Sequence, residues 1–493
     1  MSSREQLAKN ASALMTSQLA TWLLTFALTV FLPRYLGVHA VGRLNLATSL
    51  WAIGAIGISF GLDTFLIKEV ARQPTRASEL VGRIFVLRAL LFIAVFAAMA
   101  VYAHLAHYPQ ETIRVIYVIG VATMLSQCIS AVQAALQGLE RMHLMSLGNI
   151  VGKAIVTCVS IPLALLGQPV SVIAMTYVLA AGVGLWLQLR HLNRLHPIRL
   201  ALELHGVGDL LRAGFPYLLS GAFLVLYVQI DVVIISWFVD ERNVGWYGTA
   251  SQLLGTLLFV PTVYVAAVTP SLYRSGTTSP NEVARLMRRG FDFLVLLGIP
   301  IGFGVAAVAD PFIALLYGPQ FVGSGPVLAL FGIALIFMYQ NMLIGQSLVS
   351  TDRQYAMTAL VGTATLCTIP IDMVLIPWCN THFQNGAIGG ALSLIATELG
   401  IMVVGLRMLP RGTLGRANVL TASKAVASGL VMVGALWWSR PYFVGIPIVI
   451  GMVVYPASLL ALRTLSADDL ADLRAAAANM RRRFRRRSAS ESP

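Results

Sequence analysis

Hydrophobic positions in this chain come in long, nearly unbroken runs, not in the period of two or 3.6 that marks a half-buried strand or helix. Hydropathy and turn residues bound fourteen of them, at about 11–32, 43–66, 82–104, 113–136, 145–167, 170–190, 212–237, 245–271, 291–309, 326–349, 355–377, 386–407, 418–438 and 442–462. Each is near the roughly 20 apolar residues that a helix needs to cross a hydrocarbon core of about 30 Å. Backbone N–H and C=O groups find no water there, so the runs must be helices. The pattern therefore predicts an all-α polytopic membrane protein with about 14 transmembrane helices. An even number of crossings puts both ends on one side.

Composition agrees: 57% of residues are hydrophobic, 11% are charged, and mean hydropathy is +0.77. Charge then sets the orientation. With the N-terminus inside, 28 of the 35 Lys and Arg lie in cytoplasmic positions. Five lie outside (Arg34, Arg43, Arg114, Arg242 and Arg440), and Arg88 and Lys153 fall within spans. This bias predicts that both termini are cytoplasmic. It also accounts for the net charge of +14 without invoking nucleic acid. No cleavable signal peptide is visible, because the first apolar run is too long for one. The four cysteines show no CxxC and no His at metal spacing, so neither a disulfide framework, a metal site nor a cofactor is expected. Short outer loops leave no room there for a soluble catalytic domain.

The chain also repeats itself weakly. Tyr35-Leu-Gly-Val-His-Ala-Val-Gly42-Arg-Leu-Asn-Leu-Ala47 aligns without a gap on Phe238-Val-Asp-Glu-Arg-Asn-Val-Gly245-Trp-Tyr-Gly-Thr-Ala250, at an offset of 203. Glu140-Arg141 matches Asp352-Arg353 at an offset of 212. Two parallel six-helix halves follow, 1–195 and 196–411, related by an axis along the membrane normal with a substrate path between them. Two additional helices occupy 412–465, and 466–493 is a cytoplasmic basic tail. Ser275 to Arg289 reads as a basic amphipathic helix on the inner leaflet, with Glu282 in its first turn.

Four stretches carry a resemblance: Leu32-Pro-Arg-Tyr-Leu-Gly37, Val244-Gly-Trp-Tyr-Gly-Thr-Ala250, Thr269-Pro-Ser-Leu-Tyr273, and Asp310-Pro-Phe-Ile-Ala-Leu-Leu-Tyr-Gly-Pro-Gln-Phe321. In their order and spacing over 1–463 they resemble the polysaccharide transporter family. These are the Wzx-type lipid-linked oligosaccharide flippases of the multidrug/oligosaccharidyl-lipid/polysaccharide exporter superfamily. The first-half turn, Ala40-Val-Gly-Arg-Leu, departs from the aromatic that the family often has before the Gly. The resemblance implies alternating-access export of an undecaprenyl-diphosphate-linked oligosaccharide across the inner (cytoplasmic) membrane, with no enzymatic activity.

Such a substrate calls for cations facing a wet cavity, because an unpartnered anion is costly in an apolar slab. Ionisable residues inside spans are the first candidates. Lys153 lies about 14 Å along its helix from Leu144, near mid-membrane. Arg88 is shallower, and neither has a carboxylate one turn away. An interhelical ion pair with Asp63 is the plainer reading of both. Arg34, at the outer end of the first span, is placed for a departing diphosphate or for a lipid headgroup. Glu398, near the midplane, suits a proton or sodium ion that couples transport, or a plain interhelical hydrogen bond. Asp231 and Asp372 hold equivalent places in spans seven and eleven, as a cation site, an outer gate or caps. Asp63, with Lys68 and Arg72 nearby, is an inner gate or an ion pair. Gln18, Trp22, Asn149, Gln229, Gln252, Gln340, Asn341 and Gln346 would line a cavity suited to sugars or bond helix to helix.

The six arginines among Arg481–Arg487 favour the anionic inner leaflet at about 1 kcal/mol per charge. Anionic lipids are thus expected partners, with other polysaccharide assembly proteins beside them. Two alternatives stay open. One is a cation-coupled small-molecule or lipid II exporter of the same superfamily. The other is a membrane glycosyltransferase or polymerase, which the short, charge-poor outer loops disfavour. There is no Walker A motif to support ATP drive.

Overall fold

The computed structural model describes residues 3–195, 207–276, 279–410, 412–439 and 442–464, with side chains from Ala20 onward in the first helix. Among them the regular structure is helical throughout. The helices are α1 (Ser3–Leu36), α2 (Val38–Ser59), α3 (Leu62–Arg72), α4 (Ala77–Leu105), α5 (Gln110–Gly138), α6 (Met142–Leu165), α7 (Val170–Leu195) and α8 (Val207–Phe238). They continue with α9 (Glu241–Leu257), α10 (Phe259–Ser275), α11 (Pro280–Tyr317), α12 (Ser324–Ser350), α13 (Gln354–Phe383), α14 (Ala387–Met408), α15 (Arg416–Trp438) and α16 (Gly445–Ala461). Twelve stretches of the described residues are long and apolar enough to cross a membrane, α9 and α10 counting as one. Shorter apolar helices, Ala20–Leu36 and Gly445–Ala461, stand where the first and last spans were expected. This is a multi-pass membrane protein.

Three expected boundaries need correction, each for a physical reason. The run 43–66 is two helices, because Phe60 and Gly61 are left-handed, at φ 47° and 69°. The Gly61 backbone lies against that of Gly214 and Leu218 in α8, where a Cβ would collide. The run 245–271 breaks at Leu258, ahead of Pro261, which has no N–H to offer Leu257 O. Tyr339 OH fills that place at 2.8 Å. Conversely, the basic helix expected within Ser275 to Arg289 does start there, with Glu282 in its first turn, but among the described residues it does not end before the next span. From Pro280, at the first position, the chain runs on through Tyr317 as one 38-residue helix.

The repeat at offset 212 has matching geometry. Glu140 and Asp352 are both left-handed, at φ 58° and 59°. Arg141 N donates to Leu136 O at 2.8 Å, and Arg353 N to Leu348 O at 2.9 Å, the six-residue closure of a Schellman turn. Helices α1–α7 pack mainly among themselves, as do α8–α14, while α15 leans on α11 and pairs with α16. Across the two groups, α2 lies along both α8 and α9. One buried core runs through both groups, from Val41, Trp51 and Ile116 to Tyr247, Phe331 and Ile376. A second, around Leu66, Val70, Ile84 and Leu136, lies at the α3 end of the first group.

Candidate functional site

In the second group the scattered carboxylates converge. Glu398 of α14 is buried; it accepts from Tyr227 OH of α8 at 2.5 Å and from Asn341 Nδ2 of α12 at 2.6 Å. One turn beyond Tyr227, Asp231 accepts from Tyr247 OH at 2.5 Å. Asp372 of α13 neighbours both Asp231 and Ser393, and Thr368 and Thr397 bond beside it at 2.9 Å. Ser393 and Asp231 lie close to Asp372, but among the described residues no donor meets strict hydrogen-bond geometry at either of its oxygens or at Asp231 Oδ1, all of which are buried. Unmet acceptors in a low-dielectric setting are costly, which suits shared protons; among the described residues no three His, Cys, Asp or Glu group closely enough to hold a metal ion.

In the first group the picture differs. Arg88 is wholly buried, with Nη2 2.7 Å from Asp63 Oδ1 and Nη1 2.8 Å from Ser130 Oγ and against Gln127 O. Asp63 thus pairs across helices α3, α4 and α5 with Arg88. Lys153 is half-buried on α6 and makes no side-chain hydrogen bond or ion pair among the described residues. One turn away Thr157 bonds to Lys153 O and reaches Leu24 O of α1, so Lys153 lies level with the stretch of α1 that carries Trp22. Asn149, one turn the other way, accepts from Gln133 at 2.7 Å. Trp22 meets Phe259 of α10 edge to face, 4.1 Å between ring centres. Gln18 lies outside the described side chains, as the arginine-rich tail lies outside the described residues.

Other expected residues have structural partners. Arg34 Nη1 reaches Leu315 O at 3.4 Å. Gln229 accepts from Ser49, Gln252 donates to Asn45, and Gln346 donates to Tyr273. Gln340 is buried with neither end of its amide partnered among the described residues. Elsewhere in the fold, α9, α11, α15 and α16 line an apolar groove of about 1180 Å³, with Tyr264 of α10 and Phe26 of α1 at its wall. Arg289, Asp292 and Tyr264 are polar points on walls that are otherwise mostly Leu, Val, Ile, Phe and Met.

The sequence profile of a family described as polysaccharide biosynthesis protein matches residues 31–326, more than half of the chain. The chain belongs to that family. A curated relative is the probable low-salt glycan biosynthesis flippase Agl15 of Haloferax volcanii, 23% identical over 178 residues. The match covers 36% of each protein, so the chain spans about a third of that relative. Among solved structures, the lipid II flippase MurJ in an inward closed conformation superposes with a TM-score of 0.73 at 12% identity, covering 92% of this chain and 99% of that one. An inward-facing multidrug resistance MATE family transporter superposes at 0.62 with 15% identity, covering 78% and 94%. The fold of this polysaccharide biosynthesis protein is therefore that of MurJ and the MATE transporters.

Several of its network residues escaped the sequence reading: Tyr227, Tyr247, Ser393, Thr368 and Thr397. Helical spacing held a signal, since Tyr227 precedes Asp231, and Thr368 precedes Asp372, by one turn each.

Proposed function

We propose that this protein is a flippase that carries an undecaprenyl-diphosphate-linked oligosaccharide from the inner to the outer leaflet of the cytoplasmic membrane by alternating access. In this reading there are fourteen spans, both termini are cytoplasmic, the six-helix halves are 1–195 and 196–411, and 412–465 is the added pair. The tail 466–493 rests on anionic lipid. The observation that carries the reading is the apolar groove beside α15 and α16. At about 1180 Å³ it exceeds the roughly 300–1,000 Å³ of ordinary small-molecule pockets, and its walls suit a hydrocarbon chain. A water-soluble drug needs no such trough, whereas a lipid carrier must keep its tail in an apolar setting while its head crosses. Family membership supports a role in polysaccharide assembly.

Lys153, with Asn149 and Trp22 near it, supplies the charge and the polar and aromatic surface for a diphosphate and sugars. Arg34 would receive the diphosphate on the way out. Arg88, locked to Asp63, supports the first half and holds no free charge for substrate in this conformation. Asp231, Asp372 and Glu398 are the coupling group, taking up a proton or a sodium ion whose gradient drives the cycle.

Cells lacking the protein are expected to accumulate lipid-linked oligosaccharide on the cytoplasmic side and to lose surface polymer. Lys153→Met should express normally, since it removes an ammonium with no partner among the described residues, and should fail to restore surface polymer. Unchanged lipid-linked sugar in the deletion strain would exclude this substrate, leaving small-molecule export to be tested.

A further inference from the structure

Where α2, α5 and α9 begin, a set of side chains fastens one helix group to the other. Arg43 Nε of α2 donates to Glu241 Oε2, in the first turn of α9, at 2.6 Å, and Arg43 Nη1 reaches Glu111 of α5. Thr112 of α5 donates to the other oxygen of Glu241. Nearby, Tyr108 OH bonds Ser236 Oγ at 2.7 Å, and Trp237 Nε1 donates to Tyr102 OH at 2.6 Å. Burial raises the Tyr108 phenol above its ordinary pKa, so the bond to Ser236 is one between neutral hydroxyls. All of these contacts but Arg43 to Glu111, which ties α2 to α5, cross from α1–α7 to α8–α14.

Beneath these contacts α2 and α9 touch backbone to backbone. A Cβ on Gly42 would overlap Glu241 O, one on Gly245 would overlap Val38 O, and one on Gly248 would overlap the Asn45 amide. Gly42 and Gly245 are the repeat pair at offset 203, so the seam crosses near the axis that relates the halves. Such a surface is either fully in contact or parted, because close-packed groups have no halfway arrangement. Side-chain exposure of Arg43 is 21% and of Glu241 16%. The pair is therefore shielded enough to hold and close enough to water to be released.

We propose that Glu241, gripped by Arg43 and Thr112 above the Gly42–Gly245–Gly248 seam, is the latch of the outer gate: while it is held the path between the halves is shut on the outside, and its release lets α9 part from α2 and α5. This rests on the transport reading above and adds the residues that switch it. Asn45 to Gln252, at 3.1 Å, and Ser49 to Gln229, at 2.8 Å, are the contacts that break next, moving inward along α2.

The test uses the full-length protein in spheroplasts, with the exposed native Cys158 and Cys367 replaced by serine. Ser49→Cys places a thiol below the seam, about 16 Å along α2 from its first residue. A membrane-impermeant maleimide added outside should label it slowly when the latch is intact. Arg43→Gln or Glu241→Gln should speed labelling roughly tenfold, the size of a typical coupling between two states. A second variant leaves the ion pair in place. In Asn45→Cys/Gly248→Cys the new Cβ at 248 stands 3.0 Å from that of residue 45, closer than the roughly 3.5–4.5 Å of a disulfide, so α2 and α9 need only ease apart slightly for the bridge to form. Oxidation should stop export and a reductant should restore it. Unchanged labelling in well-folded Gln variants overturns the latch, as does normal export by the cross-linked protein. If labelling responds as stated while the deletion strain accumulates no lipid-linked sugar, the latch stands and the substrate assignment falls.

Discussion

Asp63→Ala is expected to cost about 3–5 kcal/mol of stability, enough to remove most folded protein from the membrane. The reason is the guanidinium left behind. Arg88 is 0% exposed, and without Asp63 it keeps a full charge among Gln127 O, Ser130 and apolar neighbours. The reverse change should be milder. Asp63 is 34% exposed, so in Arg88→Met it can turn to water instead of standing unpaired in the interior. The double variant Asp63→Ala/Arg88→Met should recover much of the loss, because no buried charge remains. Folded yield and apparent Tm in detergent would give the order Asp63→Ala, then Arg88→Met, then the double variant nearest to wild type. Equal losses for the two single variants would mean that Arg88 is held chiefly by Ser130 and Gln127.

Asp372→Asn is expected to do the opposite: keep or raise stability while cutting transport at least about tenfold. Among the described residues no donor meets strict hydrogen-bond geometry at either buried oxygen of Asp372, and an unmet buried polar group typically costs about 1–3 kcal/mol. The amide keeps the shape, cannot ionise, and offers the neighbouring Asp231 a donor. A residue whose neutralisation steadies the fold is retained for a task, which in the proposed transport cycle is the binding of a coupling proton or sodium ion. Sodium ions, if they are the coupling species, should raise the Tm of the wild type by mass action and leave that of Asp372→Asn unchanged. Paired loss of stability and transport would instead assign Asp372 to packing.

The membrane architecture was legible because it depends on run length and composition, which need no tertiary information. Helix interruptions were not. Phe60 and Gly61 break an apolar run that looks continuous, since the cause is the close approach of α8, some 150 residues later in the chain. Pro261 was visible, but the partner that frees it, Tyr339, was not. The individual ionisable residues stood out for the simple reason that charges in spans are rare. Their grouping required the fold: Asp231, Asp372 and Glu398 lie on three helices and meet through Tyr227, Tyr247 and Ser393. Arg88 and Lys153 looked alike in sequence and part company in structure, one wholly buried in an ion pair and the other with no such partner among the described residues. The Val-Gly repeat marked a similarity between halves without disclosing that Gly42 and Gly245 lie on helices packed directly together.

The most direct measurement is made on purified protein in liposomes loaded on one leaflet with undecaprenyl-diphosphate-linked oligosaccharide, with the sugar on the opposite face read by a lectin or glycosidase that cannot cross. Sugar is expected to appear on that face in a cation-gradient-dependent manner, and not with Lys153→Met or Asp372→Asn. Equal rates in empty liposomes, wild type and both variants would contradict the flippase proposal.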